Sequence, residues 1–429
     1  MLVAQLRPRA ALWAWGVSVA LFGLVGAYAP NNNTLRYEIT PYRLPSMPGI
    51  LSEAFMVTAV LLSCLATLGI LNAHRRGWAP DTRILFWAGA LVALLLANLT
   101  PVGSSDTASY AAYGRITAVG GDPYVMTPAQ LGGGYASLVG AAWRNTPSVY
   151  GPVATWLQAG AAFVGGDQPA LTIRVLMLVN VAAFLATGYL LTRTADDPVR
   201  AGLLWIANPL LIGVLVAGGH MDTVVAGLAV CAIRLVSRRA RDHYDLIAGA
   251  LIGLACCVKI SSILLGVGLA WPLLRSGAWQ RVARQTLATM IILAALYGVY
   301  GLHALGPLSA ASHQVTMPSV WAVFDRFAAT WPGQDAASTV ISLLWPLLML
   351  VLASVFRRGV PSDTPAVAAV PFVLAFAWIL TAPWSMPWYA AYAWALAAMF
   401  RQGRLTQYLV VTTAVLALFH SGGGHGWRW

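Results

Sequence analysis

The stretch VGSSDTASYAAYGR, residues 102–115, follows directly on the apolar run ILFWAGALVALLLANL. Asp106 thus stands where a chain would leave a lipid bilayer, with Tyr110 and Tyr113 at helical spacing from it, so that a carboxylate and two phenols share a face. A carboxylate within reach of a hydroxyl can take its proton while that oxygen forms a new bond, which is general-base chemistry. The same letters also read as a helix N-cap and first turn, where an acid does no more than favour the helix dipole. In AGGHMD, His220 and Asp222 open a helix after two glycines; they could meet a sugar or a phosphate, or Asp222 could simply cap. Lys259, the only lysine in the chain, falls in the middle of an apolar run. A cation at such depth either meets an anion or snorkels to the interface. Asp122, in GGDPY, is turn chemistry, and VYGPV breaks and restarts a helix.

No metal is expected. His220 and Asp222 share one loop and His313 comes from another far along the chain, which makes a weak ligand set, and no Asp-x-Asp pair is present to chelate a divalent ion through a diphosphate. Cys64, Cys231, Cys256 and Cys257 all lie inside apolar runs, where small buried packing is their expected role. No cofactor motif is found.

The elements that position these residues follow from composition. The chain has 429 residues, of which 59% are hydrophobic and 9% charged, with a mean hydropathy of +0.70. A water-soluble domain of this length does not carry such a balance, whereas apolar runs of about 17–25 residues recur throughout and suit membrane helices. Strand alternation is absent, which excludes a barrel. The formal charge of +12 sits in arginines of short loops, where it sets orientation and gives no reason to expect nucleic acid.

The arginines near 7–9, 74–76, 193–200, 237–242, 275–284, 356–359 and 401–404 should be cytoplasmic. Crossings at 11–29 (read as an uncleaved first span), 50–73 and 84–100 then place Asp106 outside. The short run 153–166 becomes a helix embedded in the outer half of the membrane, 170–192 the return, and 201–217 and 222–237 a pair with GGHMD outside. Residues 246–274 begin and end near cytoplasmic arginines and read as re-entrant half-helices meeting near Lys259. Spans near 286–305, 336–355, 365–382, 387–400 and 405–420 complete an all-α polytopic membrane protein of about 11 to 13 membrane helices. It forms one domain, 1–429, with an outer loop at 101–169 after helix three and C-terminal helices over 286–429; no internal repeat is visible. Of the 14 acidic residues, Asp81, Asp196, Asp197, Asp242, Asp245 and Asp363 fall by cytoplasmic arginines and read as loop solvation. Glu38, Glu53, Asp106, Asp122, Asp167, Asp222, Asp325 and Asp335 lie on or near the outer face.

SSDTASYAAYGRITAVGGDPY, VYGPVATWLQAG, NPLLIGVLVAGGHMDTVVAGLAV, ALIGLACCVKISSILLGVGLAWPLL and PWYAAYAW, in that order, resemble the polyprenol-phosphate-mannose-dependent α-1,6-mannosyltransferases of actinobacteria, in the GT-C superfamily of membrane glycosyltransferases. The resemblance covers roughly 84–275, with a shorter echo at 383–394. It implies an inverting transfer of mannose from a polyprenyl-phosphate donor to a lipid-linked glycan acceptor on the outer face of the plasma membrane. Asp106 matches the carboxylate such enzymes carry in their first large outer loop. For the leaving phosphate, Arg174, Arg115, His220 and Lys259 are the candidate cations and donors. Tyr110, Tyr124, Tyr150, Trp384, Trp388 and Tyr389 could line the sugar site, although interface belts are rich in the same residues. Asp122, Asp222 and His313 are further sugar or acceptor candidates, His313 because some GT-C enzymes bring a histidine from a late loop.

Other readings stay open at this level. The donor could carry arabinose, since the sugar pocket is not legible in a sequence. A transporter or flippase of lipid-linked sugars would show inverted repeats and broken helices in both halves. An inactive scaffold would tolerate any change at Asp106.

Overall fold

In the computed structural model, apolar runs become helices almost throughout: 75% of the described residues are helical. The structure describes residues 8–420 except 38, 41, 43, 239–240, 312–313, 329–333 and 402. Glu38 and His313 lie outside the described residues, as does the Asp335 side chain. Among the described residues there is no strand, only an isolated antiparallel bridge between Thr34 and Val102.

The helices are α1 (Pro8–Ala27), α2 (Gly49–Arg75), α3 (Thr82–Ala97), α4 (Asp106–Ala118), α5 (Pro152–Gly165), α6 (Pro169–Thr194) and α7 (Pro198–Ala217). They continue as α8 (Asp222–Ser237), α9 (Asp242–Val258), α10 (Ile263–Arg275), α11 (Trp279–Gly298), α12 (Gln334–Arg357), α13 (Ala366–Thr381), α14 (Ala390–Ala397) and α15 (Arg404–His420). Five of them are long and apolar enough to cross a membrane, or six if α11 and the segment after its 105° bend count as one span. Several others have 13–17 residues, short of the roughly 20 that a full crossing takes.

Burial separates core from periphery. In α7, 89% of the apolar window is covered by protein, against 17% in the span Ala337–Arg357, so α7 is central and α12 presents its leucines outward. Such a buried helix can depart from regularity only if its freed backbone groups find partners. In α7 they do: Asn208 caps the turn after the break, accepting from the Leu210 and Leu211 amides, and the Trp15 indole donates to the Ala207 carbonyl at 2.8 Å. The last turns, Ile212–Ala217, are π-helical, a local widening common beside functional sites.

Around this core the small residues of α4 and α14 permit close packing. Ala108, Ala111 and Ala112, and Ala390, Ala391, Ala393 and Ala395, have no exposed surface, as expected where helix association depends on close approach rather than on the hydrophobic effect. Helix α4 lies against α5 and α6, and α9 against α8 and α11.

One acidic residue departs from its sequence reading. Asp245, expected to be a solvated loop charge, is 1% exposed and paired with Arg281. It lies in the first turn of α9, so helix formation turns it inward.

Candidate active site

Four breaks in the helical order converge. They are the start of α4, the turn before α8, the break between α9 and α10, and the turn Pro387–Tyr389 before α14. The break at Lys259 falls where the sequence places it: α9 ends at Val258 and Lys259 is extended, with φ −149° and ψ 118°.

Asp106 is the first residue of α4, and Ser105 at the cap position makes no side-chain cap bond. The Asp106 carboxylate is therefore not spent on capping. Its Oδ2 accepts from the Tyr110 hydroxyl at 3.4 Å, and the Tyr150 hydroxyl donates to that of Tyr110, also at 3.4 Å. His220 Nδ1 lies 3.5 Å from Oδ2, too far for a well-formed hydrogen bond, and has no other partner. Gly219 makes this approach possible. It has φ +71°, and a Cβ there would come within 2.4 Å of Met177 Sδ and 2.5 Å of the Thr107 methyl.

Burial pushes the Asp106 carboxyl up, but His220, Lys259 and Ser104 together outweigh it and hold the carboxyl below its usual range. Burial, reinforced by neighbouring phenols and carboxylates, pushes the Tyr110 and Tyr150 hydroxyls well up. Both stay protonated and act as donors.

Lys259 donates to Asp222 Oδ1 at 2.8 Å, and its ammonium sits 3.3 Å from the centre of the Tyr389 ring. The charge is thereby matched by one carboxylate and one aromatic face. Gly151 lets the VYGPV turn lie on this break: a Cβ there would stand 2.3 Å from the Cys257 carbonyl. The Gly151 amide donates to the Val258 carbonyl at 3.2 Å. Trp388 stacks on His220 with centroids 3.8 Å apart, so it is no interface-belt residue.

Asp106, Tyr150, Trp384, Trp388, Tyr389 and His420 belong to the wall of a cavity of about 390 Å³; His220 and Lys259 are not wall residues and meet it through Trp388 and Tyr389. Such a volume, with aromatic walls and a few polar groups at one end, accommodates a sugar-sized ligand. Across it, Thr316 holds residues 314–319 against the turn before α14, its amide donating to the Pro383 carbonyl at 2.9 Å. Trp384 meets Trp143 edge to face at 6.0 Å.

Other residues named from the sequence are engaged elsewhere and are not among the residues of the cavity wall. Arg174 donates to the Ile39 carbonyl at 2.8 Å and ties down the α1–α2 connection. Arg115 pairs with Asp167. Asp122 caps the Tyr124 amide at 2.8 Å, as turn chemistry requires, and also meets His303 Nε2 at 2.7 Å. The Tyr124 hydroxyl pairs with that of Thr155 at 3.0 Å. Among the wall residues that escaped sequence reasoning are Trp143, Thr316 and His420. Of these only His420 carries a usable signal, an ionisable side chain ending an apolar run. No group of three or more His, Cys, Asp or Glu among the described residues could hold a metal ion.

Comparison with known proteins identifies the family of the chain. A family model described as "Alpha-(1->6)-mannopyranosyltransferase, N-terminal domain" matches residues 14–275. The chain is 29% identical over 355 residues to a "Probable alpha-(1->6)-mannopyranosyltransferase" of Mycolicibacterium smegmatis, covering 79% of this chain and 57% of that protein. It is 31% identical over 233 residues to an alpha-(1->6)-mannopyranosyltransferase of Mycobacterium tuberculosis, covering 52% and 39% respectively. With alpha-(1->6)-mannopyranosyltransferase A of the same organism it shares 26% identity over 410 residues, 88% of this chain and 77% of that one. The chain thus spans 57% and 39% of the length of the first two relatives. No solved structure matches it. With more than half of its length matched, including every break that builds the cavity except the last, this chain belongs to the alpha-(1->6)-mannopyranosyltransferase family.

Proposed function

We propose that the protein is an inverting mannosyltransferase that moves mannose from a polyprenyl-phosphate donor to a mannoside hydroxyl of a lipid-linked acceptor. The cavity faces the outside of the plasma membrane, in a GT-C-like bundle of about 11 to 13 membrane helices that counts the short ones. The relatives' names support mannosyl transfer, and the arginine-rich loops support the orientation. The observation that carries the reading is the Asp106 carboxylate at the wall of the cavity, with the Tyr110 hydroxyl and His220 Nδ1 standing 3.4 and 3.5 Å from Oδ2.

A carboxylate so placed retains acceptor capacity for a substrate hydroxyl. The acceptor oxygen attacks the anomeric carbon on the face opposite the phosphate. As the new C–O bond forms, the acceptor proton passes to Asp106, the old C–O bond breaks, and its electron pair stays with the polyprenyl phosphate. An α-linked product formed with inversion requires a β-linked donor. Charge growing on the phosphate calls for a fixed cation, and Lys259 is our choice, because Arg115 and Arg174 serve loop contacts away from the cavity. Tyr150, Trp384, Trp388 and Tyr389 supply the aromatic walls for the sugar.

The test uses purified wild type and Asp106→Asn in lipid, with a synthetic polyprenyl-phosphate mannose and a short mannoside, reading product by mass spectrometry with and without chelator. Transfer by wild type that survives chelation and collapses in Asp106→Asn is expected. Full activity in Asp106→Asn overturns the mechanism; a wild type active only with the arabinose donor replaces the sugar.

A further inference from the structure

The reaction leaves a proton behind, and the site offers it a second resting place. Resting on the transfer reaction proposed above, we propose that His220 accepts the acceptor's proton from Asp106 and holds it while the glycosidic bond forms. Three observations carry this.

First, His220 Nδ1 is buried and without a hydrogen-bond partner, and it faces Asp106 Oδ2 at 3.5 Å. A buried imidazole nitrogen left unpaired is costly, and it is accounted for if its partner is a proton that arrives during turnover. Second, the ring lies flat on Trp388, centroids 3.8 Å apart and planes 10° from parallel. An indole face at that distance stabilises an imidazolium more than a neutral imidazole. Third, the ring borders a small second cavity of about 30 Å³, which His420 and Trp388 also line. That volume admits one water, a partner for the second N–H that a charged ring acquires.

The charged and titratable groups around His220 are few. Asp106 lies in front of it, His420 is reached through Trp388 at 6.3 Å between rings, and Lys259 is already matched by Asp222. Among the described residues Asp106 is thus the one carboxylate in direct reach of the ring. Lys259 and Ser104, which favour the charged carboxylate, make Asp106 a poor final holder of the proton. The step balances: the hydrogen moves from the acceptor hydroxyl to Oδ2 and from there to Nδ1. The electron pair of the broken C–O bond remains on the phosphate, and the imidazolium returns its proton through Asp106 to water once product leaves.

The experiment measures single-turnover transfer of mannose by wild type, His220→Ala and His220→Asn, each alone and with a series of substituted imidazoles of graded basicity. A loss of about 10²- to 10⁴-fold in His220→Ala is expected, with rescue that rises with the basicity of the added imidazole. A loss below about tenfold, or rescue indifferent to basicity, overturns the relay, because the ring then only fills space on Trp388. Should His220→Ala fail to fold, His220→Asn decides. Its amide can still point a donor at Asp106 but cannot hold the proton, so near-normal turnover means His220 only positions Asp106 and the proposal falls. Turnover as low as expected for alanine upholds it. A wild type that transfers nothing, or an Asp106→Asn that transfers normally, overturns the reaction itself and the relay with it.

Discussion

Helix α9 connects two carboxylate sites that are built in opposite ways. Near its start, Asp245 accepts Nε and Nη2 of Arg281 at 3.0 and 2.9 Å and the Gln285 amide at 3.2 Å. About 21 Å further along the axis, just past its end, Lys259 joins the cluster that contains Asp106, whose side-chain partners stand at 3.4 and 3.5 Å. The first carboxylate is saturated by charge-assisted bonds in bidentate geometry and has no capacity left for a ligand. The second is held near donors that stop short of it, at the wall of a cavity. A saturated ion pair fixes structure, whereas an undersatisfied one is available for chemistry.

The sharpest way to break this contrast is to neutralise each carboxylate. Asp106→Asn should lower transfer by about 10²–10⁴-fold and lower the thermal midpoint only slightly, read by mass spectrometry of product beside a melting curve. Asp245→Asn should do the reverse, costing about 3–5 kcal/mol by stranding the Arg281 charge while the folded fraction keeps its turnover. Removing the ammonium with Lys259→Met should weaken donor use about tenfold to a hundredfold, the value of one charge-assisted hydrogen bond, seen in kcat/KM for the donor. Gly219→Ala should cost about 1–3 kcal/mol of strain and reduce transfer along with stability, because the added methyl meets Met177 and Thr107 and displaces His220.

The smallest effect concerns pH. Because the folded state holds the Asp106 carboxyl below its usual range, its charged form adds stability. That contribution is fully present above the ordinary value of about 3.9 and is lost as pH falls through the lower folded value. The difference in melting temperature between wild type and Asp106→Asn should therefore shrink below about pH 4 rather than above it.

Much of this architecture was legible before the fold. Apolar runs end within a few residues of the helix ends, since caps and prolines such as Pro152, Pro169 and Pro198 mark them locally. The isolated lysine announced the α9–α10 break, and Asp106 with Tyr110 announced a polar face. Pairings distant in sequence were not legible. Nothing near Arg115 points to Asp167, nothing near Arg174 to the Ile39 carbonyl, and nothing near Asp122 to His303. A sequence shows that a charge must find a partner without showing which one. The same blindness hid the approach of His220 to Asp106 and turned Asp245 from a solvated charge into a buried one.

Lys259 is the only lysine in the chain, and its ammonium lies between Asp222 and the Tyr389 ring. The side-chain amine chemistry of the whole molecule is therefore concentrated at one point beside the cavity. An acylating reagent followed by peptide mapping reads that point without any engineered tag. Donors, acceptors and inhibitors can be ranked by how far each shields a single residue, in native membranes as well as in detergent.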